Sequence, residues 1–222
     1  MRHQVGVPPA GRAKQGRAVT EGVSPYAGIE PGQWPQKTAE LLRQHPAKSA
    51  ELLEVVRQAW DDLFCCGFGR KPYRIGEDIF PKPQIIGFLL HELIALEFIA
   101  RYPEQWRGEQ SARDKDLVYI PDEFYSVEIK TSSHPRQIFG NRSYAQVSAT
   151  GRRGKKSKSG FYLTVNFQPF VRSATERPQI TRVRFGWLDH SDWTGQAAAT
   201  GQQASLSQAA DRGKLVELFS KR

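Results

Sequence analysis

Residues 116–131 read DLVYIPDEFYSVEIKT, and their pattern sets the fold. DLVYI, Asp116 to Ile120, and SVEIKT, Ser126 to Thr131, are short apolar, β-branched runs on either side of the turn-forming PDEFY. This predicts two strands in a hairpin. Successive side chains of a strand face opposite ways, so Glu128 and Lys130 project to one face and Ile129 to the other. With the turn centred near Glu123, Asp116 falls opposite Lys130 and Val118 opposite Glu128. Asp116 then shares the face of the acid and the lysine.

Two carboxylates and an amine thus converge over an apolar anchor. Hard carboxylate oxygens at a site that keeps some waters suit Mg²⁺, with a substrate phosphate completing the shell. Such an ion polarises a phosphoryl group and acidifies water, and Lys130 can hold that water or stabilise the developing charge. Three aspartates compete for the first position. Asp122 completes a Pro121-Asp122 pair but sits in the turn, and Asp114 has the right parity but precedes the strand, which favours Asp116. An Glu-x-Lys triplet alone also arises on solvent-facing strands. Its weight here comes from the apolar strand around it, the acid at hairpin distance, and the Thr131-Ser132-Ser133-His134 and basic segment that follow.

Outward from the hairpin, Gln84 to Arg101 reads as a mostly apolar helix, expected to be largely buried, which Pro103 ends. Residues 67–83 contain Pro72, Pro81 and Pro83 and read as an irregular connection. Helical runs are expected over Gln36 to Gln44 and Ala47 to Phe64, the latter with Leu52, Val55, Val56, Ala59 and Leu63 at helical spacing. Its apolar positions exceed one stripe, so either a subunit interface or the chain's own core absorbs them. Strands are expected at FYLTVNF, Phe161 to Phe167, and ITRVRFGWL, Ile180 to Leu188, and a closing helix over Ser205 to Phe219. Residues 1–32, rich in Gly, Pro, Arg and Lys, read as a basic arm, and residues 33–222 as one domain. The order describes an α/β fold with a central mixed sheet flanked by helices.

The chain has 222 residues, with 32 Lys and Arg against 23 Asp and Glu and a formal net charge of +9. That balance points to a polyanion. No apolar stretch approaches the roughly 20 residues of a bilayer span, and no signal peptide opens the chain, so a soluble cytoplasmic protein is expected. Cys65 and Cys66, adjacent in sequence, are read as reduced. The excess charge clusters at Arg152, Arg153, Lys155, Lys156 and Lys158. With Ser133, Arg136, Asn141, Arg142, Ser143, Tyr144 and Gln146, these form the candidate DNA-contacting set. Arg142 suits guanine, Asn141 or Gln146 adenine, and the lysines phosphates. The bland alternatives are a turn at Gly140-Asn141, with Arg142 paired to an acid, and packing rather than stacking for Phe139 and Tyr144.

Asp116 with Glu128-Ile129-Lys130 resembles the bipartite signature of the PD-(D/E)XK nucleases. EIKTSSHPRQIFGNRSYAQ and DIFPKPQIIGFLLHELIALEF more narrowly resemble type II restriction endonucleases of the ScaI-like group. The resemblance implies metal ligation by Asp116, Glu128 and the carbonyl of Ile129, a catalytic Lys130, and a Mg²⁺-dependent homodimer cutting double-stranded DNA, with a cognate methyltransferase encoded nearby. The departure is Lys115, which stands where the signature has Pro. Members of the superfamily often carry a glutamate on the preceding helix. Glu92 is the candidate, because an acid inside an apolar helix is costly unless it has a partner, and Glu97 is its rival. His91 reads as a core or rim histidine. A repair or junction-resolving nuclease on the same fold, and a non-catalytic DNA-binding module, stand as the alternative functions.

Overall fold

In the computed structural model, residues 23–144, 157–172, 176–197 and 201–221 are described. Their elements are α1 (Trp34–Gln44), α2 (Ser49–Cys65), β1 (Gly67–Phe68), β2 (Tyr73–Arg74), α3 (Pro83–Arg101), β3 (Trp106–Gly108), β4 (Leu117–Tyr119), β5 (Val127–Ser132), β6 (Phe139–Asn141), β7 (Gly160–Phe167), β8 (Ile180–Leu188), β9 (Trp193–Gly195), β10 (Gln203–Leu206), α4 (Gln208–Gly213) and β11 (Leu215–Ser220).

The central sheet runs β11-β8-β7-β5-β4-β3 and is mixed. β5 and β7 pair in parallel, Glu128 opposite Tyr162 and Lys130 opposite Thr164, while β7 with β8, and β4 with β5, are antiparallel. A parallel pair needs a long crossover. Residues 133–159 make that crossover, and β6 within it joins β10 and β9 in a small second sheet.

Strand alternation divides the central sheet into two unlike faces. Val127 and Ile129, Phe161, Leu163, Val165 and Phe167, and Val183, Phe185 and Trp187 belong to the main core with the buried sides of α2 and α3. Tyr162 and Leu188 belong to a second cluster with Ile138, Tyr144, Trp193, Ala204 and Ala210. Glu128, Thr164, Asn166 and Arg184 occupy the parity of that second face, and all four are buried. Because both faces of β7 are covered, its eight residues are buried without a break, as expected of a central strand.

The helices reached the expected places but not all the expected burial. α2 buries Leu52, Val55, Val56, Ala59, Trp60 and Leu63, so of the two expected fates of its apolar side the chain's own core is the one observed. α3 approaches the sheet closely. A Cβ on Gly87 would lie 2.5 Å from the Thr131 hydroxyl, and Ile86, Leu90, Ile94 and Phe98 are buried. Against expectation, its outer side leaves Ile85, Phe88 and Leu96 more than half exposed. At 19 residues and a mean hydropathy of 1.5, α3 also reaches the length and apolarity of a bilayer span, contrary to the sequence reading, but its buried side is committed to the sheet. The expected closing helix over Ser205 to Phe219 is corrected to β10, the six-residue α4 and the edge strand β11. The connection over residues 67–83 contains the short β1–β2 ladder.

The last part of the expected arm is fixed to the fold. Tyr26 is buried and its hydroxyl meets Thr38 Oγ1 at 2.8 Å. Ser24 donates to Asp189, which with Asp192 holds the buried Lys214 ammonium at 2.8–2.9 Å. Residues 1–22 lie outside the described residues.

His45, at the α1–α2 junction, is fully buried among Trp106, Tyr125, Phe161 and Phe185. Its Nε2 lies 2.9 Å from the Tyr125 carbonyl, and Ala47 N–H donates to its Nδ1. Burial in this apolar cage pushes its pKa from 6.5 down to about 4. The unfolded chain therefore takes up a proton that the folded chain refuses. Stability is full above pH 6.5 and falls as pH drops toward 4, by about 3 kcal/mol from this group at 1.36 kcal/mol per unit. Urea unfolding between pH 7 and 4 should show that loss in the parent and a flatter profile in His45→Gln. Identical slopes would remove His45 as its source.

Candidate nuclease site

β4 and β5 are joined through a turn that Asp122 caps by accepting the Phe124 N–H at 3.0 Å. The strands pair at Leu117 and Val127, which in antiparallel counting sets Asp116 opposite Glu128 rather than Lys130. The expected register is thus corrected by two residues, because the turn centres on Asp122. A shift of two preserves the face, so Asp116 still stands with the acid and the lysine.

Asp116 and Glu128 are 7% and 2% exposed, although both are carboxylates. Asp116 Oδ2 accepts the Ile129 N–H at 2.7 Å. Lys130 Nζ donates to Glu128 Oε1 at 2.7 Å and reaches the Ile129 carbonyl at 3.3 Å. The rival aspartates have other duties. Asp114 accepts from Arg107 at 2.8 Å and from the N–H groups of Gln110 and Ser111, and the guanidinium beside it lowers its pKa to about 2. Asp122 is the turn cap.

The helix ahead of the hairpin contributes differently from expectation. Glu92 is exposed, so the argument from a buried charge does not hold for it, and Glu97 accepts from Arg101 at 3.0 Å. The residue that meets the site is His91, whose Nε2 lies 3.5 Å from Asp116 Oδ2 and whose Nδ1 lies 3.7 Å from Glu92. The sequence carries a signal for it, since His91 is the sole imidazole of α3.

Tyr144, expected to touch DNA, is corrected to a buried position. Its ring packs on Trp193 at 5.1 Å and its hydroxyl donates to Glu128 Oε1 at 2.5 Å. No periodicity in the sequence links residues 144 and 128. Lys158, from the far end of the crossover, places its ammonium 4.2 Å from the Tyr144 ring centroid. Tyr162, whose phenol burial keeps protonated, donates to the Lys158 carbonyl at 2.5 Å. Lys115 donates to the Ser157 carbonyl at 2.7 Å. The described end of the basic cluster therefore lies beside the carboxylates. Gln146, Arg152, Arg153, Lys155 and Lys156 lie outside the described residues.

Of the other candidates, Asn141 and Ser143 are exposed and Ser133 half-buried. Gly140 and Asn141 form strand rather than the alternative turn, pairing with Ala204 and Gln203. Arg142 turns inward, donating to the Gly201 carbonyl at 3.0 Å. Arg136 is exposed at the tip of a loop built by polar contacts. Ser132 Oγ accepts the His134 N–H, and His134 Nδ1 accepts those of Arg136 and Gln137. From beneath, Asn166 donates to the carbonyls of His134 and Gln137 at 2.7 and 2.9 Å. Its own oxygen accepts from the buried Arg184 at 2.9 Å, and that guanidinium also binds Asp211.

Among the described residues no group of three or more His, Cys, Asp or Glu gathers as a metal cluster. The donors are two carboxylates and a carbonyl, which with substrate and water suit a hard divalent cation better than zinc.

Comparison with known proteins bears on this arrangement. The family model for the ScaI restriction endonuclease matches residues 24–219. Type II restriction enzyme ScaI of Streptomyces caespitosus is 43% identical over 197 residues, covering 89% of this chain and 85% of that protein. No solved structure matches significantly.

Asn166→Ala should remove the support of the 134–137 loop and strip a partner from a buried guanidinium. A loss of about 2 kcal/mol is expected in denaturant unfolding, with faster hydrogen exchange at Arg136 and Gln137. Unchanged stability and exchange would show that the amide carries no such load.

Proposed function

We propose, from the premise that this chain belongs to the ScaI restriction endonuclease family and is a type II restriction endonuclease, that Asp116, Glu128 and Lys130 are its hydrolytic centre on a PD-(D/E)XK core. The observation that carries the assignment is the convergence of two buried carboxylates on one face of the paired β4 and β5 segments, with the lysine ammonium bonded to one of them. A site-specific deoxyribonuclease must stabilise the negative charge that builds up at a phosphodiester under attack, and this chain brings a hard oxygen donor set for a cation and a lysine ammonium to one point.

The residues fit Mg²⁺. Asp116, Glu128 and the Ile129 carbonyl would hold it, leaving room in its octahedral shell for water and a phosphate oxygen. When bound, the ion supplies Lewis acidity that polarises the scissile phosphoryl group and eases deprotonation of water. Lys130 Nζ, steadied by Glu128 Oε1 and the Ile129 carbonyl, orients a water toward phosphorus or stabilises charge on the phosphoryl oxygens. The exposure of Arg136 and the position of Lys158 over the Tyr144 ring support reading both as DNA contacts, Lys158 suited to a phosphate. Ser133, Asn141, Arg142, Ser143, Gln146, Arg152, Arg153, Lys155 and Lys156 remain the candidates for the rest of the DNA contact. For Glu92, proximity to His91 supports an indirect influence on Asp116 rather than ligation. The enzyme is cytoplasmic on this reading, where a cognate methyltransferase must shield host DNA.

Plasmid digestion tests the centre. Discrete fragments are expected with Mg²⁺ and none with excess chelator. Glu128→Ala and Lys130→Ala should still bind DNA in Ca²⁺ yet cleave at least about 10²-fold more slowly, the scale for losing one preorganised charge-stabilising group. Near-parental cleavage by either variant would sink the assignment.

A palindromic duplex is read most economically by a two-fold dimer in which each subunit cuts one strand. Light scattering at micromolar concentration should therefore give twice the 25.1 kDa chain mass. A monomer both with and without its DNA site would count against this assembly.

A further inference from the structure

We infer that Tyr144 is a positioning residue for cleavage, fixing the Glu128 carboxylate in the orientation that the hydrolytic centre needs. The inference rests on the reading of Glu128 as part of the hydrolytic centre and adds a residue that this reading does not require.

Three observations converge on the ring. Its hydroxyl donates to Glu128 Oε1 at 2.5 Å, the same oxygen that takes the Lys130 ammonium at 2.7 Å. Two donors on one oxygen fix the rotation of a carboxylate and so set where its second oxygen points. The ring has a made seat: a Cβ on Gly140 would lie 2.9 Å from Tyr144 Cγ and 3.4 Å from Trp193, so a side chain there would push the ring off its place. The position in the chain is also telling. Tyr144 directly follows the exposed Ser143, and the Lys158 ammonium from the other end of the crossover stands 4.2 Å from its centroid. The ring thus takes a cation from the far end of the crossover on its face while its polar tip rests on Glu128. Tyrosine suits this position because its ring is packed while its hydroxyl finds a partner.

Tyr144→Phe retains the packing and deletes only the hydroxyl. Single-turnover cleavage should slow by about 10- to 100-fold, the range for losing a group that orients a ligating side chain. The Mg²⁺ concentration for half-maximal rate should rise, while the variant stays folded at the assay temperature and its DNA affinity in Ca²⁺ stays at the parental value. Gly140→Ala, which retains the hydroxyl but displaces the ring, should slow cleavage in the same manner. A parental rate and Mg²⁺ dependence in Tyr144→Phe would overturn the inference, as would a loss confined to DNA affinity, which belongs to a DNA contact. Glu128→Ala, measured alongside, separates the two levels: full activity there defeats the site itself, whereas an inactive Glu128→Ala with a fully active Tyr144→Phe defeats only the role of the tyrosine.

Discussion

The hydrogen bond from the Ile129 N–H to Asp116 Oδ2 is the constraint around which the candidate site is organised. β4 and β5 share a single paired position, Leu117 with Val127. Past it, the ladder would leave the next inward N–H of β5 without an acceptor, and the Asp116 side chain takes the place of a strand carbonyl. The separation of the two acids is thereby tied to backbone geometry, since Ile129 N is one peptide away from Glu128. Ile129 itself is anchored in the main core, and β7 holds the other edge of β5 along its whole length. Few degrees of freedom are left to the carboxylates.

The two faces of the sheet follow different physics. On the helix side, apolar burial dominates and individual contacts are interchangeable. On the other side, buried charges require partners, because an ion taken from water without one costs several kcal/mol. Arg184 is held by Asp211 and Asn166, Lys214 by Asp189 and Asp192, and Lys130 by Glu128. Burial still leaves its mark, holding Arg184 down at about 10. The two described ends of the crossover meet on this polar face, where Tyr144 bonds Glu128 and the Lys158 ammonium stands over the Tyr144 ring.

Much of this was legible in the sequence because it is written in periodicity. The Glu128-Ile129-Lys130 alternation gave the face, and the apolar runs gave β7, β8 and the three long helices within a few residues. The hairpin register was displaced by two, an error that parity forgives. The tail misled because α4 is only six residues long and VELFS suits either an edge strand or a helix once its short partners are unknown. Glu92 stands in an apolar run whose composition implies a largely buried helix, whereas Ile85, Phe88 and Leu96 show that one side is open. Contacts such as Tyr144 with Glu128 and His91 with Asp116 depend on how separate segments meet, and no local spacing encodes them.

The loop after β5 is gripped by its main chain. Asn166 holds carbonyls of His134 and Gln137, Arg184 reaches the carbonyl of Arg136 at 3.3 Å, and His134 accepts N–H groups of its followers. These bonds engage the backbone of Arg136 and Gln137 and make no demand on what their side chains are. Shape and identity are therefore separable at this tip. Mutation can exchange its outward groups while the frame stays in register with β5, so the chemistry displayed at this tip can change without disturbing the strand that carries Glu128.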